Sequence, residues 1–386
     1  MALGSVVWRC PVCRRNASER FCNHPKASWS IVYYVDGKAR WRQAARNKGD
    51  AQALLNRINS DIIRGSYREV TPIRFCELAD KFLRQDADVL LKPSTAEYYR
   101  ERLKSLVPTF GDLLTTDITL ERVKEFRASA LEAGHNPSTV NKNVGALRRI
   151  LNTAVELRHI ANNPLVSLRR VPERKRTMDF LTPVEMVLLF RHSGEPYRAI
   201  FMIAALAGLR EGEVLGLGRG DLDWHNNEIC VRRGLVWYQD KEGRRVWKLT
   251  TPKSVASVRR VPMPKELHEM LQRHLLTAPE NPSDLVFCTK QGTPLDPGNV
   301  VRRVFKPALT RAGLRSIRFH DLRHSFVAML LGLDVNLKVI QELVGHASIQ
   351  TTMDIYGHLL PETKQQAVQR ISEALQQAST NGNADQ

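Results

Sequence analysis

The chain has 386 residues, 42% of them hydrophobic, which suffices for the cores of two or three domains and excludes a disordered chain. It contains no run of about 18 apolar residues, its N-terminus lacks a basic-then-apolar signal pattern, and six unevenly placed cysteines make no disulfide scaffold, so a soluble cytoplasmic protein is expected. Lys and Arg outnumber Asp and Glu by 58 to 40, a formal +18 spread along the whole chain, which favours nucleic acid over a membrane or an acidic protein as partner.

Residues 1–28 are expected to be loop-like and carry Cys10, Cys13, Cys22 and His24. The stretch S-I-V-Y-Y-V-D-G-K-A-R-W-R-Q (30–43) then predicts a β-hairpin around Asp36-Gly37. On its second strand Lys38, Arg40 and Arg42 alternate with Ala39, Trp41 and Gln43, so three cations share one face and are candidates for DNA contact. A helix follows, with Asp50 as expected N-cap, an apolar stripe of Leu54, Leu55, Ile58 and Ile62, and Gly65 as its stop. The first fifty residues hold ten Lys and Arg against three Asp and Glu. Residues 1–70 therefore read as a small α+β module.

Thr71-Pro72 opens an all-α region, 72–168. Residues 73–86, 94–107, 119–133 and 138–160 have helical apolar spacing, separated by Pro, Gly and Asn. Ser94 with Glu97, and Asn136-Pro137-Ser138, supply helix starts. The linker R-R-V-P-E-R-K-R-T (169–177) is short and basic. The third region, 178–386, begins near Leu181-Thr182-Pro183 and reads as mixed α/β, mainly α. Its β-rich stretch runs from Glu228 to Met263 with a turn at Lys241-Glu242-Gly243, and the polar tail after the last helix is expected to be disordered.

Three stretches of the third region carry candidate chemistry. In A-G-L-R-E-G-E-V-L-G-L (207–217), Gly208 breaks an apolar helix and Arg210 stands near the start of the next, where anions are favoured. In R-F-H-D-L-R-H-S-F (318–326), His320, Arg323 and His324 are three and four residues apart and share a helix face, a donor set suited to a phosphate. V-G-H-A-S-I-Q-T-T-M-D-I-Y-G-H (344–358) adds His346 and Tyr356, and T-P-K-S-V-A-S-V-R-R-V-P-M (251–263) places Lys253 at a strand tip, with Lys248 on the same strand as an alternative able to reach in.

Taken together, these boxes resemble the tyrosine recombinase (phage integrase) family. Arg210 with Glu213, Lys253, His320 with Arg323, His346 and Tyr356 appear in the family's order. The resemblance implies a mixed α/β catalytic domain over 178–386, a helical core-binding domain over 72–168 and an arm-type DNA-binding module over 1–70. It also implies a site-specific recombinase of a phage or mobile element. The implied mechanism joins Tyr356 to a 3′-phosphate, with Lys253 as acid, His320 as base and Glu213 orienting Arg210. Two arginines suit this chemistry because a guanidinium grips a phosphate bidentately and a lysine does not. No cofactor is implied for catalysis, and no carboxylates cluster near the boxes to hold Mg²⁺. The implied partners are double-stranded DNA at core and arm attachment sites, DNA-bending accessory proteins, and three further copies on that DNA, linked through a terminal helix striped by Val368, Ile371 and Leu375. His324 and His358 match no family role. Ala207 stands where the family often has threonine, and 216–224 has glycines where an aromatic is common, both away from the chemistry.

Two alternatives stand beside this reading: a type IB topoisomerase, which shares the residue set, and an idle DNA-binding protein of the same fold. The N-terminal cysteines are separate. C-P-V-C has zinc-knuckle spacing, and Cys22 with His24 would complete a structural zinc site. The short gap between the pairs and the cramped C-x-H weigh against a metal, and both readings stay open.

Overall fold

The N-terminal segment that the sequence suggests is loop instead holds two strands. β1 (Gly4–Cys10) pairs antiparallel with β2 (Arg15–Ala17) on one edge and β3 (Ser28–Val35) on the other, and β3 pairs with β4 (Lys38–Ala45), giving the order β2-β1-β3-β4. Val6 and Trp8 alternate with Val7 and Arg9 along β1, the period of a strand, and lie opposite Ile31 and Trp29. Helix α1 (Lys48–Ile63) covers this face, where Val6, Trp8, Trp29, Ile31 and Tyr33 pack with Ala51, Leu55 and Ile58. Its N-cap is Asn47 rather than Asp50. The Asn47 Oδ1 accepts the Asp50 N–H at 2.7 Å, so Asp50 lies in the first turn, where its charge complements the dipole.

Four helices of eight residues or more follow: α2 (Phe75–Phe82), α3 (Pro93–Phe110), α4 (Leu120–Glu132) and α5 (Pro137–Glu156). They enclose a second apolar core that includes Phe75, Phe82, Leu106, Phe110, Leu147 and Ile150. Ser94 does not start α3. The helix begins at Pro93 after an extended Lys92 with no side-chain cap, a start that proline favours because its missing N–H would have no partner there. Asn136 does cap α5, accepting the Ser138 N–H at 2.9 Å.

The chain divides at 173/174 into two units, the second covering 174–386. There, α6 (Pro183–Arg191) opens on a Thr182–Glu185 capping box. The apolar helix α7 (Tyr197–Leu206) follows, and then the short α8 (Glu211–Leu215). β5 (Leu222–Asp223) and β6 (Glu228–Val231) form a three-stranded sheet with β9 (Arg259–Pro262), in the order β5-β6-β9. β7 (Gly234–Gln239) and β8 (Arg245–Thr250) make a separate hairpin. The helices α9 (Lys265–Thr277), α10 (Lys306–Arg311), α11 (His320–Gly332) and α12 (Leu337–Val344) complete the unit. α7 is its centre: Ile200, Phe201 and Ile203 are fully buried, and Phe201 meets Phe305 and Phe319 edge-on. This core fixes α7 and α11, and those two helices carry the ends from which the candidate residues project.

The computed structural model describes residues 4–35, 37–45, 47–65, 67, 69–173, 179–240, 242–251, 257–350, 353, 368–369, 371–373 and 375–376. Lys253, Tyr356, His358, the turn residue Asp36 and nearly all of the polar tail lie outside the described residues. Among the described residues, no helix is long and apolar enough to cross a membrane.

Candidate nucleic-acid active site

α7 ends at Leu206, and the chain turns through Gly208 at φ +65° before Arg210 caps α8. Only glycine fits that turn. A Cβ on Gly208 would lie 2.5 Å from the Phe326 ring, and the positive φ disfavours other residues in any case. The turn leaves the Gly208 carbonyl facing α11, where Arg323 donates Nη1–H to it at 2.6 Å. Arg323 is 2% exposed, and its Nη2 donates to the carbonyl of Val344, the last residue of α12, at 2.5 Å.

Arg210 is held by Glu213. The carboxylate accepts the Arg210 backbone N–H at 2.9 Å and its Nη1–H at 2.7 Å, while Arg210 Nη2 donates to the Gly345 carbonyl at 3.3 Å. Glu213 is also gripped by Arg259, whose Nη2 and Nη1 lie 3.0 and 3.3 Å from its two oxygens. Burial alone would raise the Glu213 pKa, but the Arg259 guanidinium first, and then Arg210, hold it below the usual carboxylate value. Glu213 is therefore an anion that aims two arginines.

His320 and His324 stand one turn apart on α11 with ring centroids 4.8 Å apart, edge to face. Asp321, 2% exposed, closes the start of the helix by accepting the Arg318 N–H at 2.7 Å, and it pairs with the Arg318 guanidinium. Partial desolvation, then the Arg323 and Arg210 charges, keep His320 below the ordinary imidazole value. Burial and the His320 ring push His324 down to about 4, and burial followed by Arg323 and Arg210 does the same to His346. All three rings are neutral near pH 7 and sit among fixed cations. Such a site has donors for an anion and an unprotonated imidazole to take up a proton.

Arg210, His320, Arg323 and His346 are thus brought to one place from three chain segments. Lys253 and Tyr356 fall outside the described residues. Sequence reasoning missed Arg259. Its signal was the alternation in R-R-V-P, since Arg259 shares a strand face with the buried Val261, a position unusual for an arginine unless it is paired.

In the N-terminal unit, strand register puts Lys38, Arg40 and Arg42 opposite Val35, Tyr33 and Ile31, on the face that α1 covers, and Arg40 pairs with Glu69 at 3.2 Å. The other face is partly open, with Ser28, Ser30 and Val32 of β3 buried and the outer side chains exposed. There the Arg9 guanidinium lies 5.5 Å from the centroid of the Trp41 ring, and Trp41 and Tyr34 are half-exposed. The helical part has a basic groove of about 320 Å³, lined by Tyr98, Arg127, Lys142, Arg148, Arg169 and Arg170.

Cys10, Cys13, Cys22 and His24 converge at the end of the sheet, their ligand atoms all within 4.8 Å of one another. The His24 Nδ1 is 3.4 Å from Cys10 Sγ and 3.2 Å from Cys13 Sγ, and the Cys13 N–H points at Cys10 Sγ at 3.4 Å. Burial would raise the Cys22 pKa, but hydrogen bonds led by the His24 backbone lower it to about 6, while burial and the neighbouring thiols push Cys13 to about 11. The buried Trp8 indole N–H, a donor beside Cys22, has no hydrogen-bond partner of ordinary geometry. A thiolate cluster would supply one. The donor set can bind a metal ion.

Comparison with known proteins gives the family and the fold. Residues 179–363 match the phage integrase family, and residues 74–171 match the phage integrase N-terminal domain. A Mycobacterium tuberculosis protein named as a prophage phiRv2 integrase is 30% identical over 78% of this chain and 80% of its own length. The Tn1549 transposon integrase, solved with a circular intermediate DNA, superimposes with a TM-score of 0.63 at 22% identity, covering 78% of this chain and 98% of that one. The lambda integrase tetramer bound to a Holliday junction superimposes with a TM-score of 0.54 at 18% identity, covering 82% and 93%. These two likenesses establish the fold.

Proposed function

The chain belongs to the phage integrase family and is a site-specific recombinase of a mobile element, and from that premise we propose that it cuts and rejoins DNA through a 3′-phosphotyrosyl intermediate. The observation that carries this chemistry is the convergence of Arg210, Arg323, His320 and His346 in one place, with Arg210 held by the Glu213 carboxylate and Arg323 by the carbonyls of Gly208 and Val344. Tyr356 loses its proton to His320 and attacks phosphorus. The bond from phosphorus to the 5′-oxygen breaks, and that oxygen leaves with a proton from Lys253. Arg210 and Arg323 neutralise the charge that builds on the non-bridging oxygens, and neutral His346 adds a hydrogen bond. The phosphotyrosyl ester keeps the energy of the broken bond, so rejoining by a 5′-hydroxyl requires neither ATP nor a metal. Incubation with a nicked duplex carrying the attachment site tests this. Wild type should trap a covalent adduct, Tyr356→Phe none, and a Phe variant that still cleaves refutes the assignment.

Three domains share the work in this reading. Residues 72–168 grip core DNA, a role the basic groove supports, and 178–386 perform the chemistry. Residues 1–70 bind separate arm sites through the sheet, using Arg9 and Trp41 on the open face and Lys38, Arg40 and Arg42 along β4. Cys10, Cys13, Cys22 and His24 hold a structural zinc that staples the β1–β2 turn to the loop before β3. Four copies assemble on two cytoplasmic duplexes with the help of DNA-bending proteins. Val368, Ile371 and Leu375, each more than 60% exposed, form the stripe that docks on a neighbouring copy.

A further inference from the structure

A helix leaves its last carbonyls without intrahelical partners, and something must satisfy them. At the end of α12 four consecutive carbonyls each receive a side chain. Arg259 Nε donates to Leu343 at 2.7 Å, Arg323 Nη2 to Val344 at 2.5 Å, Arg210 Nη2 to Gly345 at 3.3 Å, and Gln341 Nε2 to His346 at 3.0 Å. Three arginines from β9, α11 and the start of α8 therefore meet at one helix end, directly before His346. Cations suit that end because its dipole is negative.

Two of these arginines are the ones assigned to the phosphate. Arg259 differs from both. Its side chain is 5% exposed, its Nε is engaged by Leu343, and its two terminal nitrogens are engaged by Glu213, one of them also by the Ser257 carbonyl. We infer that Arg259 is a positioning residue: by joining Glu213 to the end of α12, it fixes Arg210 and His346 relative to each other. Glu213 is the shared element, because each of its two oxygens accepts from both Arg210 and Arg259. Without Arg259 the buried carboxylate has Arg210 as its remaining strong partner and draws that guanidinium towards itself, away from a phosphate. The Leu343 carbonyl also loses its donor, and the segment leading to His346 loosens. A lysine cannot replace the guanidinium, since one ammonium does not reach a carboxylate and a backbone carbonyl along two fixed directions.

The inference rests on the catalytic reading of Arg210 and His346, so its test includes controls for that reading. Full-length Arg259→Gln and Arg259→Lys are compared with wild type for DNA affinity, thermal stability and single-turnover cleavage of the nicked attachment-site duplex. Both variants should bind DNA within about twofold of wild type while cleavage per folded molecule falls at least about tenfold. Arg259→Ala should regain part of that rate when guanidinium ion is added. Wild-type cleavage per folded molecule in Arg259→Gln overturns the inference. Loss of folding in both variants, or a fall in cleavage that merely tracks stability, makes Arg259 a strut and overturns it equally. Should Arg210→Ala and Tyr356→Phe also cleave normally, the catalytic reading itself has failed, which is a distinguishable result.

Discussion

The guanidinium of Arg323 donates to the carbonyl of Gly208 at 2.6 Å, joining positions 115 residues apart in the chain. The bond lies in the interior and ties the turn that aims Arg210 to the helix that carries His320. Arg323 is thus both a candidate phosphate ligand and a structural tie, whereas Arg210, with a side chain 36% exposed, lies nearer solvent.

The two arginines should therefore fail differently. Arg323→Ala strands the buried carbonyls of Gly208 and Val344, each at a cost of about 1–3 kcal/mol, so stability and cleavage fall together. Arg210→Ala leaves Glu213 paired with Arg259 and should cost about 1 kcal/mol or less, while cleavage still falls at least about a hundredfold. Chemical denaturation beside adduct trapping measures both. Equal stability losses in the two variants would contradict the division.

Gly208→Ala tests the turn itself. The new methyl must be accommodated at φ +65° against a Phe326 ring atom 2.5 Å away. Left-handed backbone costs a non-glycine residue about 1–2 kcal/mol, and relieving the clash adds about 1–3 kcal/mol. The variant should unfold earlier and cleave poorly, and a neutral effect on both would show that the turn relaxes freely.

Much of this site was legible because its spacing is local. His320, Arg323 and His324 share a helix turn by periodicity alone, and the Gly208 break preceding Arg210 is a composition signal. Alternation marks Arg259 as sharing a face with Val261, but its role was not legible, because its partners Glu213 and Leu343 are 46 and 84 residues distant and only folding brings them together. Strand β1 was missed for another reason: its alternation is short and ends on Cys10, the first residue of the cysteine cluster. Alternation likewise grouped Lys38, Arg40 and Arg42 on one face, but only the packing of α1 shows which face is covered.

Stability should depend on pH below neutrality. His324 and His346 titrate near 4 in the fold against about 6.5 when unfolded, so the unfolded chain binds more protons between those values. Stability is then complete above about pH 6.5 and is lost as pH falls towards 4, with buried His324 contributing on the order of 2 kcal/mol. Melting temperatures across this window check it. His324→Asn should flatten the slope, and an unchanged slope would remove His324 from the account.

The cysteine cluster predicts about one zinc per chain by elemental analysis of the purified protein, lost in Cys10→Ser. A chelator should lower the melting temperature of the wild type and leave that of the Cys10→Ser variant unchanged. Cleavage of a core-only duplex should survive the metal's removal, because the proposed chemistry runs through Arg210, Arg323 and Tyr356. Equal metal content in wild type and mutant would dispose of the site.

The sheet offers two surfaces for arm DNA, and substitutions separate them. Arg9 and Trp41 share the open face, whereas Lys38 and Arg42 lie along the β4 edge on the side of α1. If the open face takes the DNA, Arg9→Ala removes a phosphate contact and lowers the salt slope of arm binding by about 0.9. Trp41→Ala acts through Arg9 by removing the ring beneath its guanidinium, so the double variant should bind little worse than Arg9→Ala alone. Lys38→Ala with Arg42→Ala should weaken binding through charge alone, so that the difference from wild type fades at high salt. Titration of an arm-site duplex at several salt concentrations reads all four variants. Strong loss in the Lys38 and Arg42 pair with none in Arg9→Ala or Trp41→Ala would move the contact from the open face to the β4 edge.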